Sequence, residues 1–125
     1  MPTQGVEFEV AGKTYGLRFT SNALFKLEEK SGRSVPEMLV AFNEGRCGVR
    51  DIQLMFWAAL EGHRLKSKPR SSPYTVEEAG DIIDDAGGFR EVADLLTTAI
   101  TQGLQRSAGK TEGEEADPTT PPQGN

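Results

Sequence analysis

His63 and Cys47 are the only histidine and the only cysteine of the chain, so each stands alone where most chemistry needs a set. Acyl transfer by a serine, histidine and acid requires a free imidazole and a serine presented on a tight elbow. His63 follows Gly62 in a run of cations instead, and no such elbow motif occurs, which predicts a structural or solvated histidine. A lone Cys47 forms no internal disulfide and offers a metal no second thiol, so it reads as a small half-buried side chain. The carboxylate pairs Glu28-Glu29, Glu77-Glu78 and Asp84-Asp85 are the raw material of two-carboxylate hydrolysis. Adjacent helical residues point about 100° apart, however, and such pairs suit a solvated helix face or an acidic first turn. Asp81, Asp84 and Asp85 with Glu77 or Glu78 are hard-cation donors by type but lack the spacing of a calcium loop. The sequence therefore predicts no catalytic residue, no metal site and no cofactor, hence a protein that is not an enzyme.

One charge run stands out. Arg64, Lys66, Lys68 and Arg70 crowd four permanent cations around Pro69, read as a loop between helices that can dock a phosphate backbone or an acidic partner. No aromatic interleaves them for base stacking, and the chain carries a net charge of -5, which disfavours a nucleic-acid partner. A small nucleic-acid-binding regulator using residues 64–70 is nevertheless the alternative function to be weighed.

The elements that must position these residues are legible from hydrophobic period. Val6, Phe8 and Val10 alternate with Glu7 and Glu9, and Tyr15, Leu17 and Phe19 alternate with Gly16 and Arg18. Ala11-Gly12-Lys13 joins the runs into a β-hairpin, with Gly12 supplying a positive φ. A lone hairpin cannot bury its apolar face, so helices must cover it.

After Phe19 the period changes from 2 to 3.6. Thr20-Ser21-Asn22 offers N-caps for a helix carrying Ala23, Leu24, Phe25 and Leu27, and Ser34-Val-Pro-Glu37 opens a second with Met38, Leu39 and Phe42 on its apolar stripe. Asp51 is read as the cap of a third helix, apolar nearly all round from Ile52 to Leu60, ended by Gly62 and expected to be central. Thr75-Val-Glu-Glu78 is a capping box for a fourth, with Ala79, Ile82 and Ile83 inward. Phe89, Val92, Ala93, Leu96, Ala99 and Ile100 form the stripe of a fifth.

The expected fold is α+β: an N-terminal β-hairpin packed against four to five helices in a single domain over residues 1–104, with a disordered C-terminal tail over 105–125. The expected core is Phe8, Leu17, Phe19, Leu24, Leu27, Phe56, Leu60, Val92 and Leu96. Residues 105–125 hold no aromatic or large aliphatic side chain, so they lack apolar area to offset an ordering cost of ~1 to 2 kcal/mol per residue. No window approaches the ~18 apolar residues of a membrane span, and Met1–Glu7 lacks the regions of a signal peptide, giving a cytoplasmic expectation.

A hairpin of the form G-V-x-F-x-V-x-G-K-x-Y-x-L-R-F over Gly5–Phe19, followed by S-N-A-L-x-x-L-E-E over Ser21–Glu29, resembles the phage tail assembly chaperones. The likeness is nearest to the group of gene transfer agents and related long-tailed phages. Asp51–Leu60 and Phe89–Leu104 extend it across residues 5–104. The resemblance implies a protein of virion morphogenesis, absent from the finished tail. It would bind the tape-measure protein, keep it soluble and help tail-tube protein assemble around it in the host cytoplasm. Some members of this group have been labelled tail-tube proteins; a single short hairpin argues against that here, because closing a ring calls for extensive sheet. For the client, a groove between helices with adaptable Met and aromatic contacts is expected, so Met38, Phe42, Met55, Phe56 and Trp57 join Arg64, Lys66, Lys68 and Arg70 as partner-binding candidates. Self-association is left open.

Overall fold

A computed structural model describes residues 5–111, with side chains over 5–103. Two strands and five helices follow in the order β1 (Val6–Val10), β2 (Lys13–Leu17), α1 (Ser21–Ser31), α2 (Val35–Asn43), α3 (Val49–Ser67), α4 (Val76–Asp85) and α5 (Phe89–Thr111). The fold is α+β, an N-terminal antiparallel hairpin against five helices. Helix α5 continues past the expected domain end at Leu104 to Thr111; the rest of the tail expected to be disordered, 112–125, lies outside the described residues.

Register in the hairpin pairs Val6 with Leu17, Phe8 with Tyr15 and Val10 with Lys13. The two runs thus share one apolar face, as the alternation requires. The link is shorter than expected: Ala11 and Gly12 alone make the turn, both at positive φ (51° and 81°). That is the two-residue turn whose twist matches the flanking strands.

Of the four helices given a cap in the sequence, three start where the capping residues dictate. Thr20 Oγ1 accepts from Ala23 N at 3.1 Å, and Ser34 Oγ accepts from Glu37 N at 3.3 Å. Thr75 and Glu78 close a reciprocal capping box. The exception is α3, which begins at Val49 with Gly48 as N-cap. Asp51 is buried in its first turn and pairs with Arg33, where the helix dipole also favours a carboxylate.

Helix α3 is the axis of the molecule, packing against β2, α1, α4 and α5. Leu54 through Leu60 are all buried, which accounts for a sequence apolar on every side. Of the expected core, Leu17, Phe19, Leu27, Phe56, Leu60, Val92 and Leu96 are buried, while Phe8 and Leu24 are half-buried at its margin. The Phe8 and Phe56 rings lie 6.0 Å apart and join the hairpin face to α3.

Gly62 does not end α3. The helix runs five further residues to Ser67, because the glycine serves a tertiary approach. Arg18 N donates to Ala59 O at 3.0 Å, and a Cβ on Gly62 would stand 2.0 Å from Arg18 O. Gly16 makes room in the same way, since a Cβ there would overlap the His63 ring. The end of β2 therefore lies directly on the α3 backbone, a contact only glycine permits.

The long connection from α3 to α4 is tied back to α3 by a row of polar side chains. Gln53 Nε2 donates to Val76 O at 2.9 Å, and Trp57 Nε1 donates to Tyr74 O at 2.8 Å. Glu61 Oε2 accepts from Tyr74 N at 2.8 Å, and Arg64 Nη1 donates to Ser71 O at 2.9 Å. Glu61 and Arg64 are themselves joined by two bonds, Nε to Oε2 at 2.8 Å and Nη2 to Oε1 at 2.9 Å, with Glu61 only 2% exposed. Burial alone pushes the Glu61 carboxyl up, but the hydrogen bonds from Arg64 and Tyr74 outweigh it and hold the group below its ordinary range. The same pair raises Arg64.

Two outcomes are expected from this packing. Gly62→Ala gains helix propensity of about 1 kcal/mol, yet the clash with Arg18 outweighs it, for a net loss of about 2 kcal/mol. Urea unfolding should show a lower midpoint at unchanged slope. Glu61→Gln leaves the Arg64 guanidinium buried without its counter-charge and should cost about 3 kcal/mol at neutral pH. Because the folded-state pKa of Glu61 is depressed, its contribution is complete above the unfolded carboxylate value of about 4.3 and disappears as pH falls through the lower folded value. The stability gap between wild type and Glu61→Gln, followed from pH 7 down, should therefore close in acid; a constant gap would show that the charge is irrelevant.

Candidate partner-binding surfaces

The candidates chosen from sequence separate into interior and exterior. Phe56 is fully buried beneath the hairpin, and Trp57 is buried with its N–H committed to Tyr74 O. Met38 and Met55 are buried too, on the wall of an apolar pocket. Only Phe42 is half-buried. Met55, Phe56 and Trp57 thus form no exposed edge: a helix apolar all round is spent on the core.

The basic cluster is also smaller than it reads. Arg64 and Lys66 belong to the last turns of α3 rather than to a loop, and Arg64 is consumed by Glu61. Lys66, Lys68 and Arg70 remain exposed. Lys68 lies with Lys13 over a pocket whose other charged members are Glu78, Asp81 and Asp85, so its surroundings are acidic.

The apolar pocket is bounded by α1, α2, α3 and α5 through Leu24, Leu27, Met38, Leu39, Met55 and Ile100. It encloses about 70 Å³ of free space, too little for a docked helix without α2 moving. Helix α2 packs chiefly against α1 and is held to it by Glu28 Oε2, which accepts from Val35 N at 2.8 Å.

The exterior carries apolar side chains that the sequence reading missed or misplaced. Phe25 on α1 is 64% exposed, Val49 at the start of α3 60% and Val40 on α2 51%. The signal was present for Phe25: Ala23, Leu27 and Ser31, spaced by four, define the buried stripe of α1, and Phe25 falls on the opposite side.

His63 sits among groups that resemble a hydrolytic relay in composition only. Its Nε2 is 3.5 Å from Glu7 Oε2, and its Nδ1 is 3.2 Å from Ser67 Oγ. The Ser67 hydroxyl, however, donates to His63 O at 2.7 Å. It also sits in the last turn of α3, where helix carbonyls point outward and repel a developing oxyanion. At Cys47 burial, reinforced by the Asp51 carboxylate, pushes the thiol pKa up, which disfavours the thiolate, and its Sγ lies 3.6 Å from Met38 O. Among the described residues no group of three or more metal-ligating side chains converges, and no helix is long and apolar enough to cross a membrane.

Comparison with known proteins gives a single assignment. No curated protein and no solved structure matches the chain. A family model described as "Phage tail tube protein, GTA-gp10" matches residues 4–106, which takes in both strands, α1 through α4 and most of α5. This match overturns the expectation of a tape-measure-binding assembly chaperone, and with it the argument that one short hairpin excludes a tail-tube protein. It equally overturns the nucleic-acid regulator, whose cluster has already lost Arg64 to the interior. The chain belongs to the phage tail tube protein family of the GTA-gp10 type.

Proposed function

We propose that this protein is a structural component of the tail tube that works by protein–protein contact and catalyses no reaction. The observation that carries the reading is the match of one tail-tube family model to residues 4–106, that is, to the whole folded body rather than to one element. The surface chemistry supports it. Large apolar side chains stand on the outward faces of two adjoining helices, Phe25 on α1 and Val40 on α2, where they contribute nothing to the core. Exposed aromatic and aliphatic groups of this kind anchor protein contacts when neighbouring subunits desolvate them. The nucleophile candidates support the absence of catalysis, since burial pushes the Cys47 thiol pKa up and Ser67 is turned to a backbone carbonyl.

Composition of purified tails tests this. A structural component should remain in finished particles at a stoichiometry comparable to the other tube subunits, by quantitative mass spectrometry. Its presence only in lysates during assembly would refute the proposal. Phe25→Ser and Val40→Ser should change stability by no more than about 0.5 kcal/mol, as expected of exposed positions. Both should lower incorporation into particles, measured by competition with the wild-type chain.

A further inference from the structure

The hairpin leaves the edge of β1 unfilled. Because Ala11 and Gly12 form a two-residue turn, Val10 and Lys13 are a hydrogen-bonded pair, and so by alternation are Phe8 with Tyr15 and Val6 with Leu17. The backbone N–H and C=O groups of Glu7 and Glu9 consequently point away from β2. Among the described residues nothing hydrogen-bonds to them, and both residues are exposed. On the far edge Thr14 and Gly16 are likewise unbonded among the described residues, but α3 packs on β2 and is met just past its end by Arg18 N, which donates to Ala59 O, so β1 carries the more open edge. Such a free edge is a template for an added strand.

Charge decides what kind of strand fits. A groove beside β1 is lined by Glu9, Val10, Asp85, Glu91, Asp94 and Leu95. Among the described residues none of its four carboxylates has a cation within ion-pair distance. A second copy is a poor occupant, since symmetric pairing of two β1 strands about Phe8 would set each Glu7 opposite a Glu9. We propose that the free edge of β1 accepts, as a third strand, an extended segment of a partner protein bearing lysine or arginine at alternate positions. Backbone bonds to Glu7 and Glu9 supply the register, and the carboxylates of the groove meet the cations. This deepens the tail-tube reading by assigning the chemistry of one contact, and it stands or falls independently of where the protein resides.

The test uses the full chain and a synthetic peptide of alternating Val and Lys, with a Val and Glu peptide as control. Amide hydrogen exchange is followed residue by residue by NMR. The Lys peptide should slow exchange at the Glu7 and Glu9 amides by about tenfold or more, and the Glu peptide should not. Glu9→Lys combined with Asp94→Lys, both exposed sites, should keep the wild-type melting temperature while abolishing protection by the Lys peptide. No protection, equal protection by both peptides, or protection surviving the charge reversal overturns the proposal; in those cases the acidic edge serves only to repel strands. Loss of the protein from finished tails would refute the tail-tube reading while leaving this result untouched.

Discussion

The buried Glu61–Arg64 pair is the constraint on which the arrangement of the helices depends. It lies near the C-terminal end of α3, where the chain must leave the core, cross about eight residues of irregular backbone and return as α4. A connection of that length has no secondary structure to satisfy its own polar groups. The pair supplies what is missing: Glu61 takes the Tyr74 N–H and Arg64 takes the Ser71 carbonyl, while each neutralises the other. With Gln53 and Trp57 on the same side of α3, the connection is pinned along its second half, and α4 is delivered against α3. Replacing the pair by apolar residues would relieve the desolvation of two ions but orphan the backbone groups they serve. Geometry and satisfaction of the connection, more than net ion-pair energy, therefore explain its presence.

A second constraint acts at the same level of α3, at Gly62 between the two members of the pair. The hairpin is held by backbone proximity as much as by its apolar face. Gly16 and Gly62 remove side chains where β2 meets α3, so that Arg18 can bond to Ala59 O. This closeness fixes the hairpin by its β2 side. On the β1 side Phe8 packs on Phe56 and α5 touches the strand, while the backbone edge at Glu7 and Glu9 makes no bond among the described residues. A helix that accepts the strand on one face and the α3–α4 connection on another is covered through its middle, which is why Met55, Phe56 and Trp57 are interior.

Much of the architecture was legible because it rests on local rules. The switch of period after Phe19, the capping residues Thr20, Ser34 and Thr75, and the stripes of α4 and α5 reproduce the observed elements. What was not legible rests on tertiary contact. Gly62 reads as a helix stop because glycine is a poor helix former, and nothing local reveals that a carbonyl from residue 18 needs its space. Arg64 reads as part of a solvated cationic run. Its spacing of three from Glu61 fits a helical pair, but a pair needs the helix to continue past Gly62, and only the fold shows that it does and that both residues are inside. The surface candidates failed for the same reason: hydrophobicity identifies Met38 and Phe56 as apolar but not which apolar residues the core consumes, whereas Phe25 is identified as exterior by phase, not by type.

The family assignment and the small sheet are compatible once the sheet is regarded as unfinished. An argument that a tube subunit must bring extensive sheet of its own assumes that each chain closes its hydrogen bonds internally. Here β1 presents unpaired backbone at Glu7 and Glu9, so strands can be contributed between chains as well as within one. The glutamates make that sharing selective. Repulsion between like edges opposes pairing of the free protein with itself, and a cationic strand removes the repulsion as it binds. On the proposed tail-tube role, the same five-residue strand both repels a second copy and offers its backbone to a cationic partner.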